Sequence, residues 1–345
     1  MPAIKRTILA LFILTMAGFA YVWIFYINQG KQIDRSGLHL EPLRVLAYPT
    51  FVSVYGPGPE LARIFEKRCN CKVELLNAGD SALFIEKLNA RGGDYTVDVV
   101  VGLDQLLLED ALKKIKWNEI QIEGIDFDKK LLLEGQSYLW PFDWAPLTFM
   151  YKKSEIQPPK TLKELLDPRF KGMVSLQNPM TSTPGRQFYS WVHDTLGTSE
   201  GLGFFDQLRS QNFLFADNWS ASYGLFQKGP MKMSFTYLTS AIFHWEEEKN
   251  LDFQPVVFEE PLPIQVEYAG VPANCHMCKE GADFIRFLLE PGSQSLIMQK
   301  NYMYPVVASV RKGSVFEKLP DVKTLGVTSK MTAEWLKDAL AKAKE

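Results

Sequence analysis

Asp98-Val99-Val100-Val101-Gly102 is apolar after its first residue and shows no polar–apolar alternation. A strand wetted on one face alternates; a strand covered on both faces reads as a continuous apolar run, as in parallel sheets. Working outward, Leu43-Arg44-Val45-Leu46-Ala47-Tyr48 and Lys72–Leu76 read as two more short strands. Tyr55-Gly56-Pro57-Gly58-Pro59 opens a helical pattern between them, with Leu61, Ile64 and Phe65 at i, i+3 and i+4. Asp80 or Ser81 is the N-cap candidate for a helix carrying Leu83, Phe84, Ile85 and Leu88. Strand and helix alternate from 43 to about 115, which predicts an α/β chain with a mostly parallel sheet.

A second unit begins near Leu139-Trp140-Pro141-Phe142-Asp143-Trp144. Thr148–Tyr151, Val174–Leu176 and Met233–Tyr237 read as strands, and Phe188, Trp191 and Val192 begin a helix. Trp219, after Asn218, is expected in a loop. Pro255–Phe258 and Ile264–Tyr268 read as strands that return the chain to the first unit. Phe284, Ile285, Phe287 and Leu288 mark a helix stopped by Glu290-Pro291-Gly292, and an amphipathic helix is expected over Leu325–Glu345.

At the N-terminus, Lys5 and Arg6 precede an uncharged run of 20 residues, Ile8–Ile27. At about 1.5 Å per helical residue this matches a bilayer core of about 30 Å. Gly18 and Ala20 could form a cleavage site, but the apolar run continues past them through Tyr21–Ile27. An uncleaved transmembrane helix is therefore expected over 1–30, with a polar tether over 31–42 and the rest outside the cytoplasm.

The net charge of −2 gives no basic field for nucleic acid. No phosphate loop, dinucleotide fingerprint, nucleophile elbow or His-Glu-x-x-His motif occurs, and the four histidines are scattered. These absences favour a binder over an enzyme and imply no metal and no cofactor. Cys69-Asn70-Cys71 is tightly spaced for a direct bridge. Cys275-His276-Met277-Cys278 has the spacing of a redox pair or half a zinc site; one short disulfide or free thiols is the simpler reading of the four cysteines.

Several stretches carry a family resemblance: Tyr55–Pro59, Asp98–Asp104, Pro141–Asp143, Ser182-Thr183-Pro184-Gly185, Trp219–Phe226 and Met303-Tyr304-Pro305-Val306, with Cys69-Asn70-Cys71. In order over about 43–310, they resemble the periplasmic thiamine-binding proteins of ABC importers, within the type II periplasmic-binding-protein superfamily. The resemblance implies a two-lobed α/β fold with hinge-crossing strands near 143–148 and 255–268. Lobe 1 would take 43–145 and 260–300, lobe 2 146–259 and 301–345. It also implies a monomer in the periplasm that holds thiamine or its phosphates in the cleft and hands it to an ABC permease with its ATPase.

By that resemblance, Tyr48, Tyr55, Trp219, Tyr237, Phe243 and Tyr302 would form aromatic walls, Ser182 and Thr183 would supply hydroxyls, and Asp80 and Ser81 would start a helix facing the ligand. The family has Trp where this chain has Tyr55 and Tyr302, Tyr at Phe243, and Asp at Pro49. These departures could shift the preference toward a thiamine precursor or analogue. The alternatives are a polyamine or ferric-ion binder on the same fold, and a thiamine-degrading enzyme with a nucleophilic cysteine in the cleft.

Overall fold

A computed structural model describes residues 41–79, 84–90, 97–133 and 135–344. Its strands are β1 (Leu43–Ala47), β2 (Val73–Asn77), β3 (Val99–Asp104), β4 (Leu139–Lys152), β5 (Val174–Gln177), β6 (Leu214–Ala216), β7 (Met233–Tyr237), β8 (Phe253–Pro255), β9 (Ile264–Gly270) and β10 (Tyr304–Pro305). Its helices are α1 (Pro49–Val52), α2 (Gly58–Cys69), α3 (Phe84–Ala90), α4 (Leu108–Lys114), α5 (Thr183–Leu208), α6 (Trp219–Gln227), α7 (Ser240–Glu246), α8 (Cys278–Leu288), α9 (Pro291–Asn301) and α10 (Ala333–Lys344).

The strands lie in the order β2-β1-β3-β9-β4-β7-β5-β6, with β8 and β10 also paired to β4. β1, β2 and β3 are parallel, as the alternation of strand and helix predicts. Val99, Val100 and Val101 are fully buried, and each such burial contributes about 1.5–3 kcal/mol.

β4 joins the two halves of the sheet. Its N-terminal part pairs with β9 and β10, and its C-terminal part with β7 and β8. The first crossing is therefore one continuous 14-residue strand, with no break between the expected elements. The second lies between β8, which starts and ends earlier than Pro255–Phe258, and β9. The segment 301–345, expected whole in the second lobe, is divided. Tyr304–Pro305 hydrogen-bonds to β4 at Trp144 and Asp143 in the first half, and α10 packs on α5.

The second half-sheet is cored by aromatic rings. Phe188 meets Phe149, Phe204, Phe205 and Phe235, at centroid distances from 5.2 to 6.4 Å. Gly197, at φ +79°, breaks α5 into two stretches, a backbone state open mainly to glycine. The C-terminal helix starts at Ala333 rather than Leu325, because Leu325 instead continues an extended stretch whose N–H bonds Leu262.

Both cysteine pairs are bridged, Cys69–Cys71 and Cys275–Cys278. Two bridges stand where one short disulfide or free thiols were expected, and the tight Cys-x-Cys spacing is accommodated: Asn70 ends α2 in the left-handed region (φ +51°), with the two Cα atoms 5.1 Å apart, within the span a disulfide reaches. Among the described residues no helix is long and apolar enough to cross a membrane. The expected anchor, Ile8–Ile27, lies outside the described residues.

Candidate functional site

Three carboxylates stand in one row across the middle of the sheet. Asp104 on β3 is the register partner of Glu267 on β9, and Glu267 is the register partner of Asp143 on β4. Directly opposed residues share a face. Register irregularities flank the row between Val101 and Leu103 and between Pro141 and Asp143, and bulges of this kind re-aim side chains at functional sites. All three acids are buried, at 1%, 5% and 0% exposure.

Like charges opposed in a sheet are destabilising, and burial raises the cost. Burial first, then the neighbouring Glu267 charge, holds Asp143 well above the usual carboxylate range. Burial likewise pushes Glu267 up to about 7, against hydrogen bonds that favour its charged form. Asp143 Oδ1 and Glu267 Oε2 have no donor partner among the described residues; one proton shared between the carboxylates would satisfy both.

Other groups converge on the row. Asn301, the last residue of α9, donates from Nδ2 to Asp143 Oδ2 and to the Tyr48 hydroxyl, both at 2.7 Å. Gln265 Nε2 donates to Glu267 Oε1 at 3.0 Å. Thr183 Oγ1, on the first residue of α5, donates to Asp104 Oδ2 at 2.9 Å. The neighbouring Ser182 is fully buried, and its hydroxyl has no partner among the described residues.

Tyr48 follows β1, and its hydroxyl lies beside Glu267. Burial, then the charges of Glu267 and Asp143, pushes its pKa well up, so it stays a neutral donor. Its ring lies over Gly102 of β3. A Cβ at Gly102 would sit 2.3 Å from that ring, and the backbone there has φ +105°. Only glycine satisfies both conditions.

The rings form two groups. Trp219 stacks on Tyr223 at 5.0 Å and 13°, lies 6.3 Å from Tyr237, and donates from Nε1 to Thr236 Oγ1 at 2.8 Å. The expected loop is a helix here: Asn218 caps α6 by accepting from the Ala221 N–H, so Trp219 takes its first turn. Phe243 on α7 meets Tyr302 edge-on at 5.6 Å. Tyr302 is no strand residue; it ends α9 in the left-handed region, and its hydroxyl donates to Glu247 Oε1 at 3.3 Å. Behind Trp219, the Tyr223 hydroxyl meets His244 Nε2 at 2.8 Å, and His244 Nδ1 meets Glu248 Oε2 at 2.6 Å. Burial lowers the His244 pKa and favours its neutral ring.

The structure thus brings Tyr48 and Thr183 to the carboxylate row, leaves the buried Ser182 hydroxyl without a partner among the described residues, and places Trp219 beside Tyr237 and Phe243 beside Tyr302. Tyr55 stands apart, 87% exposed at the tip of the turn after α1. Asp80 and Ser81 lie outside the described residues. Sequence reasoning missed Asp104, Asp143, Glu267, Asn301 and Tyr223. The lone charges Asp143 and Glu267 within apolar runs, and the i, i+4 spacing of Trp219 and Tyr223, are the signals that could have found three of them. All four cysteines are paired, so none is a free nucleophile for a degrading enzyme.

The sequence model of the family described as bacterial extracellular solute-binding protein matches residues 60–324. A thiamine-binding periplasmic protein of Salmonella typhimurium is 32% identical over 278 residues, covering 80% of this chain and 84% of that one. One from Brucella abortus is 28% identical over 317 residues, covering 89% and 90%. The solved structure of a periplasmic thiamin binding protein superposes with a TM-score of 0.78 at 30% identity, over 89% of this chain and 98% of that one.

Proposed function

Since the chain belongs to the bacterial extracellular solute-binding proteins, we propose that it captures thiamine outside the cytoplasm and delivers it to an ABC permease. It is a binding component, not an enzyme, with the mixed α/β fold of periplasmic binding proteins. The relatives named above support thiamine as the ligand. The single observation that carries the reading is the buried row Asp104–Glu267–Asp143. Acids this costly to bury match a ligand that brings its own permanent positive charge.

Thiamine joins a thiazolium cation to a flat aminopyrimidine. The carboxylate row offers the cation its counter-charge. Trp219, Tyr237, Phe243 and Tyr302 offer ring faces, each cation–π contact being worth about 0.5–2 kcal/mol. Ser182, Thr183 and Tyr48 offer hydroxyls that orient the ligand. Thr183–Asp104 and Tyr302–Glu247 link the two half-sheets, so this arrangement reads as the closed state of a hinge in β4 and the 256–263 crossing. Asp80 and Ser81 complete the expected first-lobe contribution.

The apolar run Ile8–Ile27 behind Lys5 and Arg6 supports an uncleaved anchor that keeps the binding unit near its permease. Calorimetric titration of the protein with thiamine tests the function. A saturable one-to-one isotherm, weakened by Glu267→Gln, supports the site and the ligand together. Heat only from polyamines or a thiamine precursor would move the reading to that ligand. N-terminal sequencing of the membrane-associated protein tests the anchor; a chain starting near residue 21 would reject it.

A further inference from the structure

Cys275-His276-Met277-Cys278 lies on the loop between β9 and α8, and nothing in ligand capture uses it. We propose that the Cys275–Cys278 disulfide is a thiol–disulfide exchange site, opened by an extracytoplasmic protein that carries a vicinal dithiol.

The loop does not need the bridge to hold its shape. The Ala273 N–H donates to the Lys116 carbonyl at 2.8 Å. The His276 and Met277 N–H groups both donate to Asp98 Oδ1, at 2.8 and 2.9 Å. Asn118 Nδ2 donates to the Pro272 carbonyl at 3.1 Å. The bridge closes a sequence separation of only 3, and a loop that short removes little entropy from the unfolded chain. The bond can therefore open with the loop in place.

Both sulfurs are open to exchange. Cys278 is the first residue of α8, an 11-residue helix, whose N-terminal N–H groups favour a thiolate there. Asn118 Nδ2 lies 3.1 Å from Cys275 Sγ and can donate to a thiolate on that side, while Cys278 Sγ lies 3.1 Å from the Cys275 carbonyl oxygen, which opposes one on the other. Both sulfurs belong to half-buried residues. An incoming thiolate attacks one of the two sulfurs, the S–S bond breaks, and its electron pair leaves on the other. The mixed disulfide so formed joins that cysteine to the partner. The partner's second thiolate then attacks its own bridged sulfur and releases the cysteine as a thiolate. The partner departs oxidised, and this chain gains two electrons and takes up two protons from solvent as its thiols reprotonate.

The other bridge lacks these features. Cys69 is the last residue of α2, at the end of the helix dipole that disfavours a thiolate, and Cys71 is 7% exposed. The exchange site is also remote from the cleft. Asp98, which pins its loop, precedes β3, and Asp104 of the carboxylate row ends that strand. Six residues of strand span roughly 20 Å.

The test mixes the full-length chain, in native buffer, with a reduced Cys-x-x-Cys protein whose second cysteine is Ser, so that the mixed disulfide is trapped. Peptide mapping should find the partner on Cys275 or Cys278, with the other of the two free to be alkylated. After dithiothreitol opens the bridge, thiamine affinity should stay within about twofold. The variant Cys275→Ser/Cys278→Ser should fold, bind thiamine equally and trap no partner. Adducts that form only in denaturant, or that map to Cys69 or Cys71, overturn the proposal. So does failure of the double variant to fold, because the bridge would then be structural.

Discussion

Asp143 and Glu267 face each other as register partners on adjacent antiparallel strands, both out of contact with water. A fold selected only for stability avoids two carboxylates in that position. Glu267→Gln and Asp143→Asn should each weaken thiamine binding about 10- to 100-fold, from hydrogen bonds to a charged group worth about 1.5–3 kcal/mol. The same variants should leave the ligand-free protein equally or more heat-stable at pH 8. Calorimetry paired with thermal melts separates the two effects; lost stability with intact affinity would make the pair structural.

The raised carboxylates give binding a pH dependence. Glu267 sits at about 7 in the folded chain, against about 4.3 unfolded. The folded state therefore holds the extra proton, and stability without ligand should fall as pH rises from about 4 through about 7. A bound cation favours the ionised pair and expels that proton. Thiamine affinity should thus rise as pH rises through about 7. Titration at pH 6 in two buffers of different ionisation enthalpy should show proton release on binding.

Trp219 stacks on Tyr223 from the first turn of α6. Trp219→Ala should reduce thiamine affinity about 2- to 30-fold, the scale of one lost cation–π contact, and much of the ligand-induced change in fluorescence should vanish. Binding that persists unaltered would place the ligand elsewhere.

Gly102→Ala puts a methyl group into the Tyr48 ring and a side chain at φ +105°. Strain of this kind costs of order 1–3 kcal/mol, and it displaces the hydroxyl beside Glu267. Lower melting temperature together with weaker binding is the expected result, read by melts and titration on one preparation.

Phe188→Ala removes the hub of the second half-sheet's aromatic cluster. A loss of about 3–5 kcal/mol is expected in denaturant unfolding, with little change in the affinity of the protein that remains folded, since the ring neighbours of Phe188 are Phe149, Tyr189, Trp191, Phe204, Phe205 and Phe235.

The alternation of strand and helix over 43–115 was legible because burial on both faces of a strand leaves an unbroken apolar run. Met233–Tyr237 was legible for a different reason: Met233, Phe235 and Tyr237 alternate with Ser234 and Thr236, the period of a strand. The carboxylate row was not. Asp104, Asp143 and Glu267 lie on three strands far apart in sequence, and only the sheet's register aligns them. The motif residues found by resemblance, Ser182, Thr183 and Trp219, sit on helix starts, where local sequence fixes local structure. Tyr55 shows the converse: its turn was readable, but its exposure depends on what packs around that turn. The Cys69–Cys71 bridge escaped because it depends on a left-handed Asn70.

The strand order also dictates when each half of the sheet can be completed. Strands β5 to β8, with the C-terminal part of β4, come from one unbroken stretch of chain. They can assemble as soon as that stretch is available. The first half cannot: β9 must slot between β3 and β4, so Leu43–Asp104 waits with an unpaired sheet edge until Gly270 has arrived. The older part of the chain, in order of synthesis, is thus the younger part of the fold, and the carboxylate row is among the last features to form.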